Sequence, residues 1–247
     1  MEIYLTKMTL NPQSRKVWDD LGNLQNMHRT VSNAFPKIET DESTPHHLQK
    51  TPRNEFNLLH RLDFDSLNGR AVLLVQSSVK PDWSFLREDY AIRIECKTVH
   101  DQYSNIENGL RLLFRLQANP TKRIGKSDGK ADEKYKPSEM RKIRRRVELR
   151  TDEEKINWLK RKGEDAGFRL TDVRIKEAVE NAVVHSSSKQ FGRRGRDDKK
   201  MTFGAVVFEG ILQVTDAEKF RESLKTGIGT GKAYGFGLLS IAPVKED

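Results

Sequence analysis

The chain has 247 residues, of which 33% are charged, and a formal net charge of +9. Its single cysteine excludes an intrachain disulfide framework and indicates a reducing compartment. No apolar run approaches the roughly eighteen residues of a membrane span, and the first residues lack the layout of a signal peptide. These features argue against secreted and membrane-spanning classes and predict a cytoplasmic protein with no membrane partner.

The positive charge is concentrated in two segments. From Lys122 to Arg150 there are twelve Lys or Arg against five Asp or Glu, and from Lys189 to Lys200 there are six against two. The two segments carry net charges of +7 and +4, so the rest of the chain is close to neutral. This distribution favours dedicated surfaces for an acidic partner, with solvated loops as the alternative.

The first half of the chain predicts the element order βαββαβ. Its main helix has apolar residues one turn apart and stops before Pro36, and turn residues separate its strands. The predicted elements are a strand at 3–11, a helix at 24–35, strands at 57–64 and 71–76, a short helix at 83–89 and a strand at 91–99.

The second half repeats this order, with a basic loop and a basic hairpin inserted. Thr151 to Glu154 has the pattern of a capping box, and Asp216 is a typical cap for the last helix. The predicted elements are a strand at 110–119, a basic loop at 122–150, a helix at 151–166, strands at 168–175 and 179–185, a hairpin at 189–200, a strand at 201–214, a helix from 216 and a strand at 233–241.

Two βαββαβ units in tandem predict an α+β fold of two ferredoxin-like domains, at 1–105 and 106–247. The first domain would carry the helix at 24–35, and the second would carry the basic loops. Sheets of this kind are common platforms for RNA, although a fold alone does not define a function.

The stretch from Gly227 to Gly237 has five glycines in eleven residues. A mononucleotide loop is excluded because Thr226 stands where its first glycine belongs and Ala233 follows the lysine. A dinucleotide loop is excluded because Lys232 occupies a required glycine position. Two interpretations remain. The stretch is either a glycine-rich, lysine-bearing turn that lies against a polyanion backbone, or a connection that binds no ligand.

His28 is a candidate for catalysis on a phosphodiester. It lies in the first predicted helix, one turn after Leu24, with Arg29 beside it. An imidazole exchanges protons near neutral pH, and a guanidinium holds phosphate oxygens. The alternative is a half-buried structural histidine.

A rival site is that of a metal-dependent nuclease of the PD…ExK type. Pro81-Asp82 is followed by Glu95 and Lys97, which a strand would place on one face, and the two carboxylates could bind Mg²⁺. The pattern is short and lacks an obvious upstream carboxylate on a helix. A third reading has no catalysis, only a basic module that holds structured RNA. The residues alone leave these three alternatives open.

A series of short motifs follows along almost the whole chain. They are Tyr4 to Pro12, Met27-His28-Arg29 with Phe35-Pro36, Pro81 to Trp83, Ala118 to Thr121, Trp158 to Lys162, Gly167-Phe168, Phe208 to Gly210, and Gly227 to Gly237. Each motif is weak by itself, but the ordered set is specific. As a set they resemble the CRISPR repeat-processing endoribonucleases of type I-E systems, the CasE family.

The resemblance implies two ferredoxin-like domains and a metal-independent cut within CRISPR repeat RNA, with no cofactor. The 2′-OH beside the scissile phosphate would be the nucleophile, leaving a 2′,3′-cyclic phosphate and a 5′-OH. His28 would transfer protons and Arg29 would contact phosphate; such acid–base help is typically worth about 10²–10⁴-fold. Family members commonly keep their product, so the expected partners are the repeat hairpin (crRNA) and the subunits of the Cascade complex.

The chain departs from the family at one catalytic position. Members usually carry a tyrosine three residues before this histidine, where this chain has Gln25. Glutamine forms hydrogen bonds but does not act as an acid or a base. Either His28 works with less help or another group takes over, and Tyr4 is a candidate for that group.

The residues expected to contact RNA are basic residues and glycines. A hairpin stem has a deep, narrow major groove, so its recognition should rely on phosphates and shape. The set comprises Arg141, Lys142, Arg144, Arg145 and Arg146 in the first basic segment, Lys160 and Arg161 in the helix at 151–166, Arg193, Arg194 and Arg196 in the basic hairpin, and Gly227, Gly229, Gly231 and Lys232.

Overall fold

The structure, a computed structural model, describes residues 2–38, 52–64, 69–123, 146–177, 189–194 and 199–244. At 52–53, 176–177, 189–194 and 199–202 it describes the backbone alone. Within these ranges the chain forms two four-stranded antiparallel sheets and two two-stranded ribbons, with helices packed on the sheets.

The first sheet has the strand order β2-β3-β1-β4. Helices α1 and α2 pack on one face of it, and Met27 and Val31 of α2 join Met8 and Leu73 in a buried core. The elements of this half are β1 Tyr4–Leu10, α1 Arg15–Leu21, α2 Leu24–Ser32, α3 Pro52–Glu55, β2 Leu59–Phe64, β3 Ala71–Ser77, β4 Ala91–Thr98 and α4 His100–Ser104.

The second sheet has the order β12-β5-β11-β8. Its core contains stacked aromatic rings, with Trp158 on Phe208 and Phe168 edge-on to Phe220. The elements of this half are β5 Arg111–Ala118, β6 Thr121–Arg123, β7 Arg146–Glu148, α5 Asp152–Asp165, β8 Phe168–Glu177, β9 Lys189–Arg194, β10 Lys199–Gly204, β11 Val206–Val214, α6 Ala217–Thr226, a 3₁₀ turn at Lys232–Tyr234 and β12 Leu239–Pro243.

The two basic segments are each attached to a two-stranded ribbon. Strands β6 and β7, near the two ends of the first basic segment, pair antiparallel with Arg123 opposite Arg146. Strands β9 and β10 form the predicted basic hairpin, and β9 lies against α2 of the first half.

Both predicted helix caps of the second half are confirmed. The Thr151 hydroxyl accepts the Glu154 N–H, and the Glu154 carboxylate accepts the Thr151 N–H, which completes the capping box of α5. The Asp216 carboxylate accepts the N–H of Lys219 at the start of α6.

The short helix predicted at 83–89 is wrong. This segment forms two turns, closed by the N–H of Leu86 on the Trp83 carbonyl and the N–H of Tyr90 on the Arg87 carbonyl. The segment runs between two buried anchors, Pro81 and Tyr90, and these anchors rather than a local helical pattern set its path. Among the described residues no helix covers this edge of the sheet, and β4 is exposed from Ile92 to Thr98.

Other elements also differ from expectation. The predicted strand at 233–241 starts only at Leu239, because a 3₁₀ turn at Lys232–Tyr234 comes first. Helix α1 was not predicted, and the predicted strand at 201–214 is divided at Ala205 into β10 and β11. The predicted strand at 179–185 lies entirely outside the described residues. In the part of the chain that the structure describes, no helix is long and apolar enough to cross a membrane.

The two sheets are joined by buried polar contacts. The guanidinium of Arg61 on β2 donates to the carbonyls of Arg115 and Leu238 in the second half and pairs with Asp63 in its own strand. The Gln76 side chain donates to the Leu224 carbonyl. These contacts fix α2 of the first half relative to the glycine-rich stretch of the second.

Candidate active site and nucleic-acid interface

Helix α2 presents His28 and Arg29 on different flanks. The helix starts at Asn23, whose side chain accepts the N–H of Gln25, and Met27 faces the core. His28 is half-buried beside that core face, whereas Arg29 is exposed. Successive residues turn about 100° around a helix, so the two side chains leave in different directions.

A buried carboxylate holds α2 in place. Asp20 of α1 accepts hydrogen bonds from the Thr30 hydroxyl at 2.7 Å and the Tyr90 hydroxyl at 2.8 Å, and its other oxygen lies 2.6 Å from Lys16 Nζ. Burial and the Asp20 charge raise the pKa of Tyr90 above its usual range, so its hydroxyl keeps its proton and donates. Thr30 ties α2 into this network.

His28 lies beside the glycine-rich stretch of the second half. Its ring centroid is 6.1 Å from that of Tyr234, which packs at 5.1 Å against Phe203. Behind it lies His60, which is fully buried, and burial together with the His28 charge lowers the pKa of His60 to about 3. His60 is therefore neutral near pH 7, and His28 is the histidine open to a substrate.

Residues 227–237, the glycine loop, have a backbone that only glycine accommodates at key positions. Gly227 has φ 77°, and a Cβ there would lie 2.8 Å from the Leu59 side chain of the other half. Gly229 has φ 83°, and its Cβ would lie 3.1 Å from the Trp158 ring. The N–H of Ile228 donates to the Gly237 carbonyl and closes the loop. The loop therefore lies flat on α5 and against β2.

A groove of about 550 Å³, the glycine-loop groove, lies between this loop, α5 and α6. Its lining has five cationic side chains and two carboxylates, so a polyanion fits it. Of these cations, Lys162 pairs with Asp165 and Lys219 pairs with Asp216, whereas Arg161 is exposed and bears no ion pair with any described residue. The cationic side chains are Arg146, Arg161, Lys162, Lys219 and Lys232.

The structure brings together part of the predicted interface. Arg146, Arg161, Gly227, Gly229 and Lys232 all line the glycine-loop groove. The glycine loop also reaches His28 through Tyr234. Lys232 Nζ also donates to the Thr226 carbonyl at 2.6 Å, so this lysine helps to hold the loop on the end of α6.

Other predicted residues lie elsewhere. Arg29 is on another flank of α2 from His28, and Lys160 is exposed on α5 without lining the groove. Gly231 lies in the loop, where a Cβ would meet the Phe236 ring at 2.9 Å. For Arg193 and Arg194 the structure describes the backbone of β9, and Arg141, Lys142, Arg144, Arg145 and Arg196 lie outside the described residues.

The two carboxylates of the metal-dependent alternative each have a partner of their own. The Asp82 carboxylate accepts the Ser84 N–H, and this bond lowers the pKa of Asp82. Glu95 pairs with Arg93 at 2.8 Å on the exposed strand β4. Among the described residues, no three His, Cys, Asp or Glu side chains are grouped to hold a metal ion.

Sequence reasoning missed Tyr234 and His60. Tyr4, the tyrosine considered for the place left by Gln25, donates its hydroxyl to Glu2, and this bond raises the pKa of Tyr4. Tyr234 is the tyrosine beside His28. Its position between two glycines of the loop was the available signal, but nothing local pairs residue 28 with residue 234.

Comparisons with known proteins agree with this arrangement. The family model described as "CRISPR associated protein" matches residues 3–243. The CRISPR-associated endoribonuclease Cse3 of Thermus thermophilus is 36% identical over 247 residues, covering 98% of this chain and 100% of the relative. The Cascade subunit CasE of Escherichia coli is 34% identical over 173 residues, covering 70% of this chain and 74% of the relative.

The fold also matches that of a solved relative. A structure of the CRISPR endoribonuclease Cse3 bound to a 19-nucleotide RNA superposes with a TM-score of 0.72 at 35% identity, covering 98% of this chain and 100% of that one. The match covers both sheets and the glycine loop between residues 3 and 243. This chain therefore belongs to the family of CRISPR-associated proteins that includes Cse3 and CasE.

Proposed function

We propose that this protein is an endoribonuclease that binds and cuts CRISPR repeat RNA hairpins without a metal ion. The observation that carries the proposal is the position of His28, half-buried beside Tyr234 of the glycine loop, whose other residues line the cationic groove. A relative that covers 98% of this chain is named an endoribonuclease, and a structure of a CRISPR endoribonuclease Cse3 has been solved with RNA bound.

The chemistry is an internal transesterification. The 2′-oxygen attacks the adjacent phosphorus and forms a P–O bond, while the bond from phosphorus to the 5′-oxygen breaks. The 2′-OH loses a proton and the leaving 5′-oxygen gains one, so the products are a 2′,3′-cyclic phosphate and a 5′-OH. The nucleophile comes from the substrate, so the protein has to supply positioning and proton transfer.

His28 is the residue for one of the two proton transfers, and the Tyr234 hydroxyl is the candidate for the other. Their rings are 6.1 Å apart, which leaves room for a scissile phosphate to contact both side chains from the solvent side. His60 lies behind them, and its depressed pKa keeps a second positive charge away from His28. The Tyr234 hydroxyl would then take over the role of the family tyrosine that Gln25 replaces in this chain.

The glycine-loop groove would hold the RNA backbone that leads to His28. Main-chain N–H groups of a glycine loop approach phosphates closely, and Arg161 and Arg146 would add charge. The β9–β10 hairpin lies against α2, so Arg193 and Arg194 are carried close to the same helix. Arg29 remains our proposed phosphate contact on the other flank.

We also propose that each sheet with its helices is one ferredoxin-like domain, with the boundary at residues 105 and 106. In both sheets the first and third of the sheet's own four strands in chain order are central, the second and fourth flank them, and every neighbouring pair is antiparallel. This is the order of the split βαβ arrangement.

The same proposal includes that the protein keeps the cut hairpin bound and acts as a Cascade subunit. The Escherichia coli relative is named a Cascade subunit, and one third of this chain is charged, with a net excess of +9 to hold RNA. The proposed action of the protein on CRISPR transcripts and its single cysteine both support a cytoplasmic location.

The test is cleavage of a repeat hairpin in excess EDTA by the parent protein and by His28→Ala. We expect the parent to cut, leaving a cyclic phosphate end, and the variant to bind the hairpin without cutting it. A cut that needs Mg²⁺ and survives His28→Ala would instead favour Asp82, Glu95 and Lys97. Tight binding with no cut by the parent would identify a non-catalytic hairpin-binding module.

A further inference from the structure

A second cationic groove lies on the side of α2 that faces away from His28. It has a volume of about 590 Å³, is bounded by α1, α2 and the turns after β3, and is here called the α1–α2 groove. Its lining contains Arg15, Lys16, Arg29 and Arg87, together with Asn26 and Asn33 as amide donors and Asp19 as the carboxylate.

Two of its four cations are free to meet a ligand. Lys16 is engaged with the buried Asp20, and Arg87 pairs with Asp89 at 3.1 Å. Arg15 and Arg29 are exposed and have no ion pair with any described residue. A groove with uncompensated guanidinium groups attracts phosphate.

The rim of the groove carries an exposed aromatic ring. Phe85 is 45% exposed, one of the largest exposures of any big apolar side chain described, and Trp83 lies behind it with ring centroids 6.4 Å apart. An exposed ring supported by a second ring and surrounded by arginines is the combination by which proteins stack unpaired bases and hold their phosphates. A duplex, whose bases are already stacked, would not use it.

The position of the groove relates it to the cleavage site. Thr30 and Asn26 line it and lie two residues after and before His28, so they are on the opposite side of the helix. Arg29 lies between the two flanks, on the exposed surface. A helix is about 10–12 Å across, a distance that a few nucleotides of extended strand can span.

We propose that the α1–α2 groove binds the single-stranded RNA that flanks the hairpin, with Phe85 stacking a base and Arg15 and Arg29 holding phosphates. The inference rests on the proposed function, since it assigns the strand that continues past His28 over α2. It adds a second RNA site, separate from the glycine-loop groove that takes the hairpin.

The experiment uses the full chain with His28→Ala, so that every RNA stays intact. Binding is measured by fluorescence anisotropy at fixed salt. The RNAs are the bare hairpin, the hairpin with a 5′ single-stranded flank, and the hairpin with a 3′ single-stranded flank. Each flanked hairpin is also measured with its flank annealed to a complementary strand. We expect one flank to strengthen binding by on the order of tenfold, and annealing to abolish the gain.

Variants at Phe85 then separate stacking from general packing. Phe85→Tyr keeps a stacking ring and should keep the gain, whereas Phe85→Leu keeps apolar volume without a ring and should lose most of it. Arg15→Gln should lower the salt dependence of the gain. All three variants should bind the bare hairpin like the parent.

Two outcomes would overturn the inference. One is no gain from either flank, which would leave the groove to a protein partner; the other is a gain that survives both Phe85→Leu and Arg15→Gln. Failure here is distinct from failure of the proposed function, because cleavage of the bare hairpin in EDTA by the parent protein tests the latter alone.

Discussion

At the scale of single residues, the site depends on two histidines with opposite environments. His28 is half-buried beside Tyr234, whereas His60 is buried near the loop at Gly235 and has a pKa of about 3. Burial of an imidazole disfavours its charged form, so protonating His60 costs more free energy in the folded state than in the unfolded state. We therefore expect His60 to affect stability and the site around His28 to affect activity.

The stability of the protein should fall in acid because of His60. Its pKa is about 3 when folded and near the ordinary 6.5 when unfolded, so between these values the unfolded chain binds a proton that the folded one does not. The contribution of His60 is fully present above pH 6.5 and is lost as the pH falls toward 3, with a slope of at most about 1.4 kcal/mol per pH unit.

This is checked by urea unfolding at pH 7.5, 6.0 and 5.0 of the parent and of His60→Gln, which cannot titrate. The parent should lose more free energy of unfolding per pH unit than the variant. Equal slopes in the two proteins would contradict the assignment, whatever their absolute stabilities.

Removing the Tyr234 hydroxyl should slow cleavage without weakening RNA binding. Tyr234→Phe keeps the ring contacts with His28 and Phe203 and removes only the proton-transferring group. Loss of one acid–base group typically costs about a hundredfold or more, so single-turnover cleavage should slow by that factor while hairpin affinity stays at the parental value. Cleavage by Tyr234→Phe at the parental rate would exclude the hydroxyl as the second group.

At the scale of elements, the position of α2 is set by polar contacts at its side and by apolar contacts beneath it. Met27 and Val31 bury one face, and Thr30 reaches the Asp20 carboxylate of α1. The apolar face alone would leave the helix free to slide, because hydrophobic contact is non-directional. The hydrogen bonds to Asp20 fix its register, and with it the position of His28.

Asp20→Ala should therefore affect both stability and cleavage. The substitution leaves the Thr30 and Tyr90 hydroxyls without their acceptor, and we expect the free energy of unfolding to drop by about 3 kcal/mol. At a temperature where the variant is folded, single-turnover cleavage should fall more than hairpin affinity, because the groove lies in the other half of the chain.

The matched control for this prediction is Lys16→Met. The Lys16 side chain is 46% exposed, so its pair with Asp20 should contribute under about 1 kcal/mol. An Asp20→Ala loss no larger than that of Lys16→Met would show that Asp20 is not the anchor of α2.

At the scale of the whole molecule, the candidate site is assembled from both halves of the chain. His28 comes from the first half, and the glycine loop and its groove come from the second, so the joint between the sheets decides whether they meet. Arg61 is the central contact of that joint, with its guanidinium bound to Asp63, to the Arg115 carbonyl and to the Leu238 carbonyl just after the glycine loop.

Arg61→Leu should destabilise the protein and impair the site. It leaves Asp63 short of its buried partner and two carbonyls without donors, and we expect a loss of about 3 kcal/mol in the free energy of unfolding, together with slower cleavage. Arg93→Leu is the control, because the Arg93 side chain is 70% exposed and its pair with Glu95 should contribute under about 1 kcal/mol. Similar losses in the two variants would show that Arg61 does not join the sheets.

The sequence by itself determined most of the elements and the candidate histidine. Apolar periodicity located α2 and the sheet strands, local capping patterns located α5 and α6, and the ordered motifs indicated the family and His28. These signals are readable because caps and periodic faces involve residues only a few positions apart. The helix expected at 83–89 was wrong because anchors at both of its ends, rather than its own pattern, decide its path.

Only the tertiary structure decided how the site is composed. The meeting of His28 with Tyr234, the burial of His60, and the separation of Arg29 into a second groove all depend on contacts across the joint between the sheets or around a helix. No local pattern in the sequence pairs residue 28 with residue 234. Their proximity depends on Arg61 and Gln76, which bind main-chain carbonyls more than fifty positions away along the chain. Local sequence encodes elements, whereas packing between distant elements determines which side chains can act together.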